Sequence, residues 1–148
     1  MRITLAALHL IALGVGLGAV WARARGLRSR LDTEGLRRVF AADAWWGVAA
    51  ALWLGTGLAR LFMSVEKPTS YYLSNSLFHA KLGLFVLIVV LEIWPMVTLI
   101  RWRRRRAMSG NVNTTAASRL ALVSTIQALL VLAIVFVAVA MARGAGAT

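Results

Sequence analysis

The stretch LFHAKLGLFVLIVVLEIWPMVTLI, Leu77 to Ile100, runs straight into RWRRRR, Arg101 to Arg106, and its reading decides the fold. At a rise of about 1.5 Å per residue such a helix crosses about 30 Å of hydrocarbon, and its composition prefers lipid to water. It nevertheless carries His79 and Lys81 near its start and Glu92 in its middle. An ionisable side chain inside a span must find a partner or give up its charge, so the stretch is a site hypothesis as well as a membrane segment.

Three more apolar stretches have similar length: about Ile3 to Ala22, Ala41 to Phe62 and Leu120 to Met141. The whole chain of 148 residues is 60% hydrophobic and only 15% charged. A soluble domain of this size has too little interior to hide so much apolar side chain. The expected fold is all-α: an integral membrane four-helix bundle forming a single transmembrane domain. Arg2 before the first run and Ala22 and Ala24 after it have the look of a signal peptide. The arginines that follow the run reverse the usual charge bias, so a retained first helix is expected. The absence of cysteine excludes disulfides and thiolate chemistry.

The net charge of +12 sits in the connections, beside the spans. Anionic headgroups and the orientation rule account for it, so a lipid bilayer and no nucleic acid is the expected partner. Arg23, Arg25, Arg28, Arg30, Arg37 and Arg38 crowd the first connection, and Arg101, Arg103 to Arg106 and Arg119 the third. Both connections are therefore expected in the cytoplasm, with the termini on the outer, periplasmic side of a bacterial inner membrane. The first connection should hold a short amphipathic helix at about 33–40, lying on the inner surface, capped by Asp32 or Thr33 and touching headgroups through its arginines.

The first span places His9, Ala12, Gly16 and Ala19 on one face, with Gly14 and Gly18 in a GxxxG spacing beside it. Gly47, Ala51, Gly55 and Ala59 make a comparable seam on the second span, which begins at Asp43 with the interface pair Trp45-Trp46. With the termini outside, His9 and His79 both fall in outer halves and can share one site, as axial ligands to haem iron or as ligands to a metal. Lys81 lies about 200° from His79 on the helical wheel, so only one of the two need face the core. Glu92 is about 16 Å along the helix from Lys81, too far for direct pairing. It needs a proton, Asp43, an inner arginine or Gln127, and either a neutral acid or a buried network is expected. Arg60 near the outer end and Tyr72 in the outer connection are candidate contacts to a cofactor held there. Pro95 frees a backbone carbonyl near Leu91, beside Glu92.

The segment SVEKPTSYYLSNSLFHAKLGLFVLIVVLEIWPMVTLIRWR resembles small bacterial inner-membrane proteins of the DUF2214 family, and the resemblance covers essentially the whole chain. More distantly, His9 together with Phe78-His79-Ala80-Lys81-Leu82 resembles the CopD-like group, which includes the HemJ-type protoporphyrinogen oxidases, four-helix proteins that bind haem b. That likeness implies that His9 matches their first-helix histidine and Lys81 their third-helix lysine. Where many of them carry a further histidine about three turns on, this chain has Glu92.

The leading expectation is a haem-binding membrane protein with a redox or electron-transfer role, holding haem b between the first and third helices. His9 would ligate the iron opposite His79 or Lys81, with Arg60, Lys67 or Lys81 on the propionates, Tyr72 closing the site, and Lys81 and Glu92 as catalytic candidates. One alternative is a small-solute or metal-ion carrier with Glu92 as proton-coupling acid. Another is a structural subunit whose glycine seams suffice for assembly. A homodimer is expected because so small a bundle has few helices with which to bury Glu92.

Overall fold

The computed structural model describes residues 2–62 and 75–145, and these form four long helices. They are α1 (Arg2–Arg28), α2 (Thr33–Phe62), α3 (Ser76–Ser109) and α4 (Ala117–Ala142). Each is long and apolar enough to cross a membrane, so the protein is a multi-pass, all-α transmembrane bundle. α1 packs along α2 and α4, and α3 along α4. α2 and α3 complete the ring through long side chains: Arg103 donates to the Phe40 carbonyl and to Asp43, and Trp53 meets Phe85 edge-on at 5.5 Å.

Two apolar clusters fill the interior. One lies in the middle of the bundle, where Ala12, Val20, Trp46, Trp53, Ile88, Val131 and Ile134 meet. The other lies at the arginine-rich, basic end, where Leu27, Leu36, Val39, Leu99, Trp102 and Leu120 meet. The outer faces are just as apolar; Ile11, Val48, Val90 and Phe136 are all exposed. A helix that is hydrophobic all round has no strong facial preference when its solvent is lipid.

The expected surface helix at about 33–40 is not a separate element. It forms the first turns of α2, because no Gly or Pro breaks the chain between Phe40 and Trp46 and because Leu36 and Val39 are drawn into the basic-end cluster. The Trp45-Trp46 pair divides: Trp45 faces outward, while Trp46 is buried against Gly16. The small-residue seams also face outward, since a Cβ on Gly14, Gly18, Gly47 or Gly55 would meet nothing within 4 Å. Close approach of α1 to α2 is made instead at Gly16, beneath Trp46 and Ala49, and at Gly26, beneath Val39.

The helix starts are capped as their residue types require. Asp32 accepts from the Gly35 amide at 2.8 Å and Asn75 from the Leu77 amide at 2.9 Å. The Gly35 amide holds the Asp32 carboxyl below its ordinary value of 3.8. A carboxylate with a lowered folded-state pKa contributes stability above its unfolded value and loses it as pH falls through the folded one. Asp32→Ala should therefore lower the Tm in detergent at neutral pH, and the gap from wild type should close as the pH drops below 3.8. At Gly35 a Cβ would run into the Arg30 carbonyl oxygen. Gly35→Ala is expected to destabilise by about 1–3 kcal/mol in the same measurement.

Candidate functional site

Between the two apolar clusters lies a polar node built on Arg23. This side chain is fully buried, and each of its five N–H groups meets an acceptor. Nε donates to Ser124 at 3.1 Å; Nη1 donates to Asp43 at 2.8 Å and to Glu92 at 2.7 Å; Nη2 donates to Glu92 and Gln127, both at 2.8 Å. Glu92 is thus gripped bidentately, the strongest geometry for a carboxylate and a guanidinium. It also accepts from Gln127 Nε2, whose other proton reaches the Ile88 carbonyl. Both Glu92 oxygens accept, as an ionised carboxylate does. Asp43 is shared in turn with Arg103 at 2.7 Å. One side chain of α1 thereby touches α2, α3 and α4 together.

The second polar place lies toward the chain termini, where a cavity of about 350 Å³ opens among the four helices. His9, Arg60 and Lys81 line it beside apolar walls that include Leu13, Phe78 and Ile134. The tautomer of His9 follows from its neighbour. Thr56 Oγ1 lies 2.7 Å from the Leu52 carbonyl and 3.1 Å from that of Trp53, and a carbonyl can only accept. The single hydroxyl proton goes there, so Oγ1 accepts from His9 Nδ1 at 2.8 Å, and Nε2 is the imidazole nitrogen with the lone pair. Gly57 makes room for the ring, since a Cβ there would sit 3.4 Å from His9 Cε1. Trp53 stacks obliquely on His9 at 5.8 Å, and its buried indole N–H has no acceptor among the described residues.

Comparison with known protein families matches residues 1–146 to the family described as "Predicted membrane protein (DUF2214)". The chain belongs to the DUF2214 family. No curated protein and no solved structure matches it. What this DUF2214 chain can do must be read from its own side chains.

The structure gathers His9, Arg60 and Lys81 into the cavity but leaves His79 outside its walls. His79 is exposed, its Nδ1 is 3.1 Å from the Asn75 carbonyl of its own helix, and it packs edge-on against Phe78. Phe78 and Lys81, three residues apart, take the inward face of α3, so His79 between them turns away. Among the described residues no group of three or more His, Asp or Glu could hold a metal ion. Lys67 and Tyr72 lie outside the described residues. Glu92 has the network expected of it, with Gln127 in it and Asp43 one step away. Its main partner is Arg23, an inner arginine of the kind named for it, drawn from a connection whose arginines were expected at the headgroups. A signal for this was present, because Arg23 continues the face of His9, Ala12, Gly16 and Ala19, all of which are buried.

Removing one member of a buried ion pair leaves an uncompensated charge, which costs about 3–5 kcal/mol. Arg23→Leu should destabilise the bundle by this much in reversible unfolding from micelles or bicelles. Arg23→Lys should recover only part of it, because an ammonium offers three donors from one point where the node uses five from a plane. Glu92→Gln in the Arg23→Leu background should cost less than it does alone.

Proposed function

We propose that this protein is a haem-binding membrane protein with an electron-transfer role, and that its site is the cavity at the terminal end. The observation that carries the reading is His9, a wall residue of the cavity whose Nδ1–H is committed to Thr56, which makes Nε2 the basic nitrogen of the ring. A histidine that ligates iron has the same arrangement: the far N–H is hydrogen-bonded, which orients the ring and raises the basicity of the ligating nitrogen. The rest of the donor set fits the group. Arg60 and Lys81 supply cations for propionates, and Leu13, Phe78 and Ile134 supply apolar surface for a macrocycle. The bound group would bring a one-electron iron centre. The chain's own part would be to ligate through His9, hold the propionates and keep water from the ring. The crowding of arginines at the opposite end supports a periplasmic position for the cavity in a bacterial inner membrane.

The alternative of a carrier with Glu92 as its proton-coupling acid draws less support. Both Glu92 oxygens are held by Arg23, and one also by Gln127, a complete set of bonds that suits a structural clasp.

Protein purified from a haem-replete host should show a Soret band that disappears in His9→Ala. Thr56→Val should keep the band while weakening haem affinity by about 10–100-fold, the usual effect of losing a partner of a ligating histidine. His79→Ala should leave the spectrum unchanged. A colourless wild-type preparation would refute the assignment.

A further inference from the structure

Trp46, Trp53 and Trp102 are buried, whereas Trp21 on α1, Trp45 on α2 and Trp94 on α3 face outward. Each outward indole stands two residues from a member of the polar node, from Arg23, Asp43 and Glu92 in turn, so the three lie at nearly one level. Exposed indoles on spanning helices collect where hydrocarbon meets headgroups. From Trp21 back to Ile3, and from Trp94 back to Ser76, the helices measure about 27 Å, close to the thickness of a hydrocarbon core. The indoles thus mark one face of the hydrocarbon, and the basic end begins at the headgroups.

Just beyond them an open hollow of about 480 Å³ lies between the end of α1 and the start of α4. Leu27, Leu31 and Ala117 give it apolar walls, while Arg28, Thr115 and Ser118 bring a guanidinium and two hydroxyls; no carboxylate lines it among the described residues. Arg28 is held by a neutral partner. Its Nη2 donates at 2.9 Å to Thr125 Oγ1, whose own proton goes to the Ala121 carbonyl. Thr125 follows Ser124, the acceptor of Arg23, so the Arg28 head is drawn back toward the level of the indoles. Neighbouring arginines meet carboxylates: Arg30 meets Asp32, Arg37 meets Glu34 and Arg103 meets Asp43. Arg28 has no carboxylate within ion-pair distance among the described residues, and its other four N–H groups make no bond to them. Its charge is positioned across the α1–α4 seam without being neutralised.

We propose that this hollow seats the phosphate of one anionic phospholipid from the leaflet at the basic end. Arg28 is the anchor, Thr115 and Ser118 add hydroxyl donors, and Leu27 and Leu31 meet the glycerol end of the acyl chains. The run Arg101 to Arg106 attracts anionic lipid by charge; the hollow adds a shaped seat with a fixed donor. It lies at the opposite end of the bundle from the His9 cavity, so it stands or falls independently of the haem reading.

The test is native mass spectrometry of the full chain from detergent micelles, titrated with phosphatidylglycerol or phosphatidylcholine of the same acyl chains. One phosphatidylglycerol should bind more tightly than any further copy and than phosphatidylcholine, and millimolar inorganic phosphate should not displace it. Arg28→Gln should weaken that first site by about 10–100-fold, the worth of a charge-assisted hydrogen bond. Arg104→Gln makes the same change of charge outside the hollow and should cost no more than about five-fold, the general effect of one surface arginine. Thr125→Val leaves the charge unaltered but frees the Arg28 side chain, and should weaken the site by about 2–10-fold. Equal losses in Arg28→Gln and Arg104→Gln with none in Thr125→Val overturn the proposal, because they describe a charged surface without a seat. Displacement by inorganic phosphate, or equal binding of phosphatidylcholine, overturns it as well. Should Arg28→Gln fail to fold, Ser118→Trp at an exposed position fills the hollow without altering charge, and an undiminished first site in that variant refutes the assignment.

Discussion

A single buried guanidinium sets the arrangement of all four helices. Apolar helices in lipid have little to fix their rotation or depth, because a leucine is as well solvated by acyl chains as by a neighbouring helix. Arg23 removes that freedom. Bare in the bundle interior its charge would be prohibitively costly, so only the arrangement that brings Asp43, Glu92, Ser124 and Gln127 around it is tolerable. Each of these acceptors stands on a chosen turn of its own helix, and satisfying all of them at once fixes rotation and height together. Arg103 extends the arrangement to the basic end by neutralising the second oxygen of Asp43.

The number of spans was legible in the sequence because hydrocarbon thickness translates directly into residue count, but at the basic end α1, α2 and α3 run past the apolar stretches to Arg28, Thr33 and Ser109. The cap at Asp32 was legible too, although the helix it opens is α2 itself and not a separate surface helix. Rotation about each helix was harder to read. Gly14 and Gly18 have the spacing of a packing seam and face outward, while Gly16 carries the contact with Trp46. Spacing identifies a face without saying what lies against it, and lipid accepts a glycine face as readily as a helix does. Charge position was ambiguous for a related reason. Arg23 follows an apolar run and precedes other arginines, as a headgroup residue would, and only its alignment with His9 and Ala19 distinguishes it from Arg25.

The cavity was half legible. His9 and Lys81 stand out as ionisable groups in apolar surroundings, and the structure brings both to one space. His79 stands out equally on chemical type, yet its place on the wheel sends it outward. Thr56, Gly57 and Trp53 carry no such signal, since a hydroxyl, a missing side chain and an indole are ordinary contents of a span. Their importance comes from contact with His9: one fixes its tautomer, one gives it room and one covers its ring.

The apolar cluster between the cavity and the Arg23 node has a consequence for how charge is distributed in the bundle. Across this layer, from Ala12 to Val20, Trp46 to Trp53, Leu84 to Ile88 and Ala128 to Ile134, the only polar side-chain atoms are the indole nitrogens of Trp46 and Trp53. Two groups of ionisable residues therefore share one small bundle without a chain of hydrogen-bonding side chains between them along which protons could hop. The layer acts as an insulator in series with the bilayer. The layer keeps the charges of the Arg23 node apart from the ionisable residues that line the cavity.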